Sequence, residues 1–152
     1  MIRKIFISII ILFISFTCSA QKIYDGNSYM ESDVIMNYHN GYLYQGRSSL
    51  KSDLIIVFDG RYIYNGQSKL RSNIICTWKN NTLYRGYSTS TSDIIGHYDN
   101  GKFYRGKSNM SNDIIGHYDN GKFYRGKSSM SSDIMFRTSS NLNIAILAFL
   151  IF

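Results

Sequence analysis

The sequence repeats itself every 20 residues along most of its length. Residues 93–108 recur unchanged as residues 113–128, and looser copies precede them. One tyrosine keeps the spacing through six copies: Tyr24, Tyr44, Tyr64, Tyr84, Tyr104 and Tyr124. In proteins with such a period, each unit buries its apolar face against its neighbours, and an isolated unit is unstable. The repeat therefore limits the chain to a stacked or ring-shaped architecture.

Each copy predicts one β-hairpin. In the clearest copy, Asn100 and Gly101 separate residues 94–98 from residues 102–105, and both flanking runs are rich in β-branched and aromatic residues. Asn-Gly is favoured in a type I′ turn because both central residues of that turn need positive φ. The chain is therefore predicted to be all-β, with six 20-residue repeats that form β-hairpins.

A two-residue turn also predicts which side chains share a face. Tyr98 then lies opposite Phe103, and His97 lies opposite Tyr104 on the other face. Simple alternation adds Ile94 to the face of Tyr98 and Phe103 and places Ile95 on the other. The face of Tyr98 and Phe103 is the better candidate for a core shared by all units.

Two turns vary the Asn-Gly pair. Asp59-Gly60 is expected to supply the same turn chemistry one residue earlier, and Asn80-Asn81 is a weaker substitute because Asn tolerates positive φ less well than Gly. Proline is absent from the sequence, which suits a chain made mostly of paired strands.

The phase of the repeat favours closure. The chain after residue 20 opens with the second strand of a unit and ends its repeats with a first strand at residues 133–136. Five complete hairpins are expected between them, at about residues 34–45, 54–65, 74–85, 94–105 and 114–125. Two half-units complete a ring if they pair, and closure removes exposed strand edges. The alternative is an open solenoid of hairpins.

Polar loops connect the predicted hairpins. Residues 106–112 are typical, with Gly, Ser and Asn as turn formers. Each loop also holds one apolar residue, which we expect to anchor the loop to the core; examples are Leu50, Leu70, Met110 and Met130.

Residues 1–20 are predicted to be a secretory signal peptide. Arg3 and Lys4 precede the apolar run 5–16, and Cys18-Ser19-Ala20 supplies small residues for cleavage. The alternatives are an N-terminal membrane anchor and a lipoprotein acylated at Cys18. A signal predicts export to the periplasm, the outer surface or the extracellular space. Cys76 is then the sole cysteine of the mature chain, and it is interpreted as a small buried hydrophobe.

The last stretch, residues 141–152, abandons the repeat. It is almost wholly apolar, and as a helix it would extend about 16 Å, roughly half of a bilayer core. We expect it to pack into the repeat domain (residues 21–140), as a plug along the ring axis. The alternatives are insertion into a membrane and self-association with another subunit.

The chain resembles the 5-fold β-flower family of small secreted bacterial proteins built from repeated hairpins. The resemblance rests on Ser19-Ala20-Gln21, the repeated motif at 94–106 and 114–126, and the apolar tail ending in Phe. It implies a rotary, flower-like β-assembly with no known catalytic residues and no settled function. The chain departs from that pattern in a longer unit with a Ser-rich loop at 128–132, and six Tyr-x-Gly steps leave five-fold and six-fold rings both open.

Repetition argues against catalysis. A Ser-His-Asp triad is conceivable around His97 or His117, but Ser108 and Asp113 have counterparts in nearly every unit, which indicates a structural role in turns. The same two histidines with nearby aspartates make only a weak metal site. We expect no enzymatic activity, no metal and no cofactor.

Ligand binding is the stronger alternative. Aromatic side chains interleaved with Arg and Lys on one face suit sugar rings and acidic glycans. The candidate ligand-binding residues are Tyr84, Arg85, His97, Tyr104, Arg105, His117, Tyr124 and Arg125. Nucleic acid is a poor partner for a secreted protein of modest charge.

The sequence thus predicts an exported, non-enzymatic structural or interaction module of the cell envelope, whose partner is a glycan or another envelope component. The alternative is a carbohydrate- or cell-wall-binding module that uses the repeated Tyr/Arg/Lys face.

Overall fold

The computed structural model describes residues 20–152, so the predicted signal peptide lies, except for Ala20, outside the described residues. Within this part, twelve antiparallel strands form a closed barrel and one helix follows them. The elements are β1 (Gln21–Asp25), β2 (Val34–His39), β3 (Tyr42–Gln45), β4 (Leu54–Phe58), β5 (Tyr62–Asn65), β6 (Ile74–Lys79), β7 (Thr82–Arg85), β8 (Ile94–Asp99), β9 (Lys102–Arg105), β10 (Ile114–Asp119), β11 (Lys122–Arg125), β12 (Ile134–Thr138) and α1 (Ile144–Ile151).

The hairpin prediction is confirmed, including its register. Asn100 and Gly101 both have positive φ, 47° and 81°, as a type I′ turn requires. Tyr98 is opposite Phe103, and His97 is opposite Tyr104. Asn80 and Asn81 also both adopt positive φ, so the weaker turn pair still forms the same turn.

The β4–β5 turn differs from the prediction. It has three residues between the strands, and positive φ is confined to Gly60. Asp59 acts through its side chain instead, since Oδ1 accepts hydrogen bonds from the backbone N–H of Arg61 at 2.9 Å and of Tyr62 at 2.7 Å. Partial burial acts to raise the pKa of the Asp59 carboxyl, but these bonds and one from the Tyr64 hydroxyl outweigh burial and lower the pKa.

The two ends of the repeat region pair to complete the ring. β1 and β12 form an antiparallel pair in which Ile23 lies opposite Thr138. Gly26 N donates to the Met135 carbonyl at 3.0 Å, the same bond that Gly106 N makes to Ile95 within the chain at 2.9 Å. The composite pair thus reproduces the geometry of the five continuous hairpins. The closed ring is confirmed, and it has six units.

A β-bulge in each unit corrects the predicted faces of the two isoleucines. Ile114 lies opposite Tyr104, but the next partner of β9 is Gly116, so Ile115 is an extra residue. The bulge breaks the simple alternation of side chains. In the equivalent pair of β8, Ile95 packs against the core, whereas the prediction assigned that position to Ile94.

Helix α1 lies within the core of the barrel. Ala145, Ile146, Leu147 and Ala148 are all 0% exposed. Four consecutive residues point to nearly every side of a helix, because each step turns about 100°. A helix buried on all these sides must be surrounded, and its neighbours are the inward side chains of the strands.

The chain enters the barrel at the end that carries the hairpin turns. The backbone N–H of Leu142 donates to the Tyr118 hydroxyl at 3.3 Å, and the Asn143 side chain caps α1 by accepting from Ala145 N at 2.8 Å. α1 ends at the opposite opening, where the Phe152 ring lies over Gly96.

The inward positions vary in size around the ring. One inward position of each unit holds, in chain order, Met36, Ile56, Cys76, Gly96, Gly116 and Phe136. A Cβ atom on Gly96 would overlap the Phe152 ring, and one on Gly116 would overlap the Phe123 ring. The two glycines therefore leave space for large rings from other parts of the core. Cys76 is a free, buried cysteine, and burial raises the pKa of its thiol to about 11.

The prediction that the apolar loop residues anchor the loops is wrong. Met30, Leu50, Leu70, Met110 and Met130 are 63–71% exposed. Polar contacts hold the loops instead: in the unit of Met110, the Gly106 carbonyl accepts from His97, and Met110 N donates to Ser108 Oγ at 3.2 Å.

If α1 is core, shortening its side chains must destabilise the whole barrel. We expect Leu147→Ala to lower the free energy of unfolding by about 3 kcal/mol, because the site is fully enclosed and cannot collapse. The matched control Leu70→Ala, at a 63% exposed position, should change it by less than about 0.5 kcal/mol. Urea unfolding followed by circular dichroism measures both, and equal effects of the two variants would contradict the burial of α1.

Candidate functional site

The outer face of the barrel carries a repeated loop clamp. At the same position of the first strand in four units, a polar side chain donates to the carbonyl of the glycine that begins the next loop. The bonds are Asn37 Nδ2 to Gly46 at 2.9 Å, Thr77 Oγ1 to Gly86 at 2.7 Å, His97 Nδ1 to Gly106 at 2.7 Å and His117 Nδ1 to Gly126 at 3.2 Å. We name these four side chains the loop clamp.

Both histidines of the loop clamp use their second nitrogen as well. His117 Nε2 accepts from Ser129 Oγ at 2.9 Å, and His97 Nε2 contacts Asn109 Oδ1, while Asn109 Nδ2 donates to Asp99. Since a carbonyl only accepts, each Nδ1 donates to its glycine carbonyl, and the second nitrogen of each ring is in contact with another side chain of the same loop. Neither imidazole keeps a nitrogen for a substrate or a metal ion.

The clamp histidines also cover the tyrosines beside them. His97 stacks on Tyr104 with centroids 5.2 Å apart and planes at 11°, and His117 stacks on Tyr124 at 4.9 Å and 8°. Tyr104 and Tyr124 are each 7% exposed. Their ring faces are therefore not open to stack on a sugar.

A second group of candidate residues lies at the opening of the barrel where α1 ends. We name this opening the mouth. Arg85, Arg105 and Arg125 are the last residues of β7, β9 and β11. They lie opposite Cys76, Gly96 and Gly116, which are inward positions, and directly opposed residues of antiparallel strands share a face. Three consecutive units therefore bring a guanidinium group to the rim of the barrel.

The charge of the mouth is asymmetric. The three remaining units carry Asp25, Gln45 and Asn65 at the position of the arginines. One half of the rim is thus basic and the other half is neutral or acidic. This asymmetry favours a ligand that binds off-centre, on the side of the arginines.

Apolar side chains line the space beneath these arginines. One cavity of about 400 Å³ lies between Arg105 and Arg125, and a neighbouring one of about 320 Å³ lies between Arg85 and Arg105. Ile115 and Ile151 line both cavities, and Phe152 lines the second. Because the cavities share Arg105, Ile115 and Ile151, they form one continuous groove at the end of α1, largely apolar, with Asn112 and Asp113 in the wall of the first cavity.

Within the described residues, the three guanidinium groups at the mouth have no hydrogen-bond or salt-bridge partner. All three are exposed. The carboxyl end of α1 lies beside them and adds negative charge at the mouth. The mouth therefore offers three solvated cations above an apolar surface.

The structure divides the eight predicted site residues into two groups. Arg85, Arg105 and Arg125 come together at the mouth. His97 and His117 belong to the loop clamp, with Tyr104 and Tyr124 beneath them, and Tyr84 lies half-buried opposite the clamp residue Thr77. The sequence analysis missed Ile115, Ile151 and Phe152 at the mouth. Two features of the sequence could have indicated them. The arginines occupy inward positions of their strands, and the apolar tail is long enough to reach those positions.

One aromatic cleft remains open on the outer face. Tyr62 and Tyr87 stack with centroids 5.3 Å apart, and the Arg71 guanidinium lies 4.0 Å from the Tyr87 centroid. The cleft measures about 160 Å³, and Tyr87 is 50% exposed. It occurs in one unit because no other loop has a tyrosine at the position of Tyr87.

Metal sites and spanning helices were sought in the same part of the chain. Over residues 20–152, no group of three or more His, Cys, Asp or Glu side chains is placed to hold a metal ion. In that range no helix has both the length and the hydropathy needed to cross a membrane.

The loop clamp predicts that His97 holds its loop against the barrel. We expect His97→Ala to expose Lys107 to trypsin, because the loop loses its two side-chain contacts, whereas His97→Asn should keep the loop closed, as Asn37 does in its own unit. Mass spectrometry of the fragments compares cleavage at Lys107 with cleavage at Lys127, whose loop retains His117 and serves as the internal reference. Equal cleavage at Lys107 in the wild type and both variants would contradict the clamp.

Comparison with known proteins gives one match. A family model described as 6-fold beta flower protein matches residues 23–147, which is most of the chain. No curated protein and no solved structure matches.

Proposed function

We propose that this chain, which belongs to the 6-fold beta flower family, is an exported, non-catalytic interaction module of the cell envelope that binds its ligand at the mouth. Family membership identifies a small β-repeat protein, and it replaces the five-fold ring of the resemblance with a six-fold one. The role in binding, the export and the location in the envelope are our inferences. Export rests on the charged and apolar pattern of residues 1–20.

The observation that carries this proposal is the set of three uncommitted guanidiniums above an apolar groove. Arg forms charge-assisted, two-pronged hydrogen bonds with carboxylate and phosphate groups. Ile115, Ile151 and Phe152 supply the apolar contact that most small-molecule sites provide. The ligand class that fits both features is an anion with a short apolar chain.

The loop clamp supports a non-catalytic role. A histidine that acts as a general base needs a free ring nitrogen within reach of a substrate proton. His97 and His117 direct both ring nitrogens to their own loops. The repeated Ser and Asp side chains serve the turns of the loops; the Ser88 hydroxyl, for example, donates to Asp93 at 2.5 Å.

A second candidate function, carbohydrate binding, is favoured by the open cleft of Tyr62 and Tyr87 rather than by the repeated face. Tyr87 is half-exposed although its ring contacts Tyr62 and Arg71, so a sugar in the cleft would meet the ring edge and hydroxyl of Tyr87. Retention of the wild-type protein, but not of Tyr87→Ala, on an immobilised glycan would support this function.

Three probes test binding at the mouth, and they separate the contribution of the ligand's anionic group from that of its apolar hydrocarbon chain. We expect octanoate to bind more tightly than acetate, which lacks the chain, and more tightly than octanol, which lacks the charge. Arg105→Gln/Arg125→Gln should weaken octanoate binding at least about tenfold, because charge-assisted hydrogen bonds to both guanidiniums are lost. Calorimetric titration measures the affinities.

The matched control removes the same charge from the same two strands. Lys102→Gln/Lys122→Gln alters β9 and β11 at the hairpin-turn end, and its octanoate affinity should equal that of the wild type. If the two double variants lose affinity equally, net charge rather than the mouth attracts the anion. If octanol binds as well as octanoate, the guanidiniums have no part in recognition.

A further inference from the structure

Five of the six connecting loops present a large apolar side chain to solvent. These residues occur 20 positions apart and are 63–71% exposed: Met30, Leu50, Leu70, Met110 and Met130. Each immediately precedes the single 3₁₀ turn of its loop. Because the ring closes from six equivalent units, equivalent residues lie at the same height around the barrel. We name this set the apolar crown.

The apolar crown surrounds the mouth. All the connecting loops join the second strand of one hairpin to the first strand of the next, so they lie at the end opposite the hairpin turns. Asn112 and Asp113, which closely follow Met110, line the cavity between Arg105 and Arg125. The crown and the mouth therefore belong to the same end of the barrel.

The loops do not need these apolar side chains for their own structure. Met110 N donates to Ser108 Oγ at 3.2 Å, and Leu50 N donates to Ser48 Oγ at 3.1 Å. The sixth loop has Ser90 at the crown position, and Ser90 N makes the same bond to Ser88 Oγ at 3.1 Å. A serine thus maintains the loop geometry, and the apolar residues of the other five loops contribute no burial within the barrel.

The connecting loops carry six cations and six carboxylates, and the cations are the more exposed of the two sets. The loop cations are all exposed: Arg47, Lys51, Lys69, Arg71, Lys107 and Lys127. The loop aspartates are all half-buried: Asp33, Asp53, Asp93, Asp113 and Asp133. Glu31, the exposed loop carboxylate, is paired with Lys22 at 2.5 Å.

We propose that the apolar crown docks the protein on an anionic lipid bilayer. Exposed Met and Leu side chains enter the boundary between headgroups and acyl chains, and the surrounding Lys and Arg side chains meet the anionic headgroups. A surface that combines apolar tips with cations matches the layered chemistry of such an interface. The crown is a separate surface from the groove of the mouth, so docking does not depend on whether the mouth binds an anion.

A second copy of the chain fits this surface less well. Crown-to-crown contact would place the six exposed cations of one copy against those of the other, and like charges at close range oppose association. A neutral glycan would leave the five apolar side chains without a complementary partner. The bilayer satisfies both the apolar and the charged parts of the surface.

The test is cosedimentation with vesicles of phosphatidylcholine alone or mixed equally with phosphatidylglycerol. The wild-type protein should partition at least about tenfold more strongly to the mixed vesicles, and added salt should weaken this binding. A variant with Leu50, Leu70, Met110 and Met130 replaced by serine, the residue found at position 90, should lose at least about tenfold in partitioning. Equal thermal melts of both proteins establish that the loss is not unfolding.

Two further variants separate local charge from net charge. Lys107→Gln/Lys127→Gln should weaken the preference for the anionic vesicles, whereas Lys102→Gln/Lys122→Gln, which removes the same charge at the turn end, should retain it. Unchanged partitioning of the serine variant would overturn the proposal. The proposal would also be overturned if light scattering without lipid showed that the wild-type protein is a dimer and the serine variant is a monomer. A second copy of the chain would then occupy the crown.

Discussion

The structure depends on filling the inside of the ring. A barrel of twelve strands encloses more space than the strands' own inward side chains fill when several of them are small. Helix α1 occupies that space, and its four central residues are completely buried. The constraint explains Gly96, whose missing side chain makes room for Phe152. It also explains the mouth, because the end of α1 forms the apolar surface below Arg105.

Features determined by local chemistry were predictable from the sequence. The Asn-Gly turn specified the register of Tyr98 and Phe103, and the phase of the repeat predicted that two half-units would close the ring. Features determined by tertiary contacts were not. The bulge at Ile115 reverses a simple alternation, and no local pattern distinguishes a buried Met110 from an exposed one. The three-residue turn at Gly60 escaped prediction because Asp59 acts through its side chain.

The same distinction applies to the candidate site. Charge and residue type drew attention to Arg105 and His97, but they did not show that these residues lie on opposite faces of the sheet. That difference separates the roles: an inward residue at the end of a strand reaches the mouth, whereas an outward residue in the middle reaches the loop. Repetition therefore serves the scaffold, and the departures from repetition, such as the three arginines in one half of the rim, create the individual surface.

Amide hydrogen exchange of α1 in the folded protein tests this account most directly. The N–H groups of Ile146 and Leu147 bond to the Asn143 carbonyl, and that of Phe152 bonds to Ala148. If α1 is enclosed by the ring, Ile146 and Leu147 should exchange as slowly as Phe103 and Phe123 of the strands, through opening of the whole barrel. An isolated helix of this length is marginal in water. Fast exchange in α1 with protected strands would show that the ring closes without the helix, and it would contradict the account.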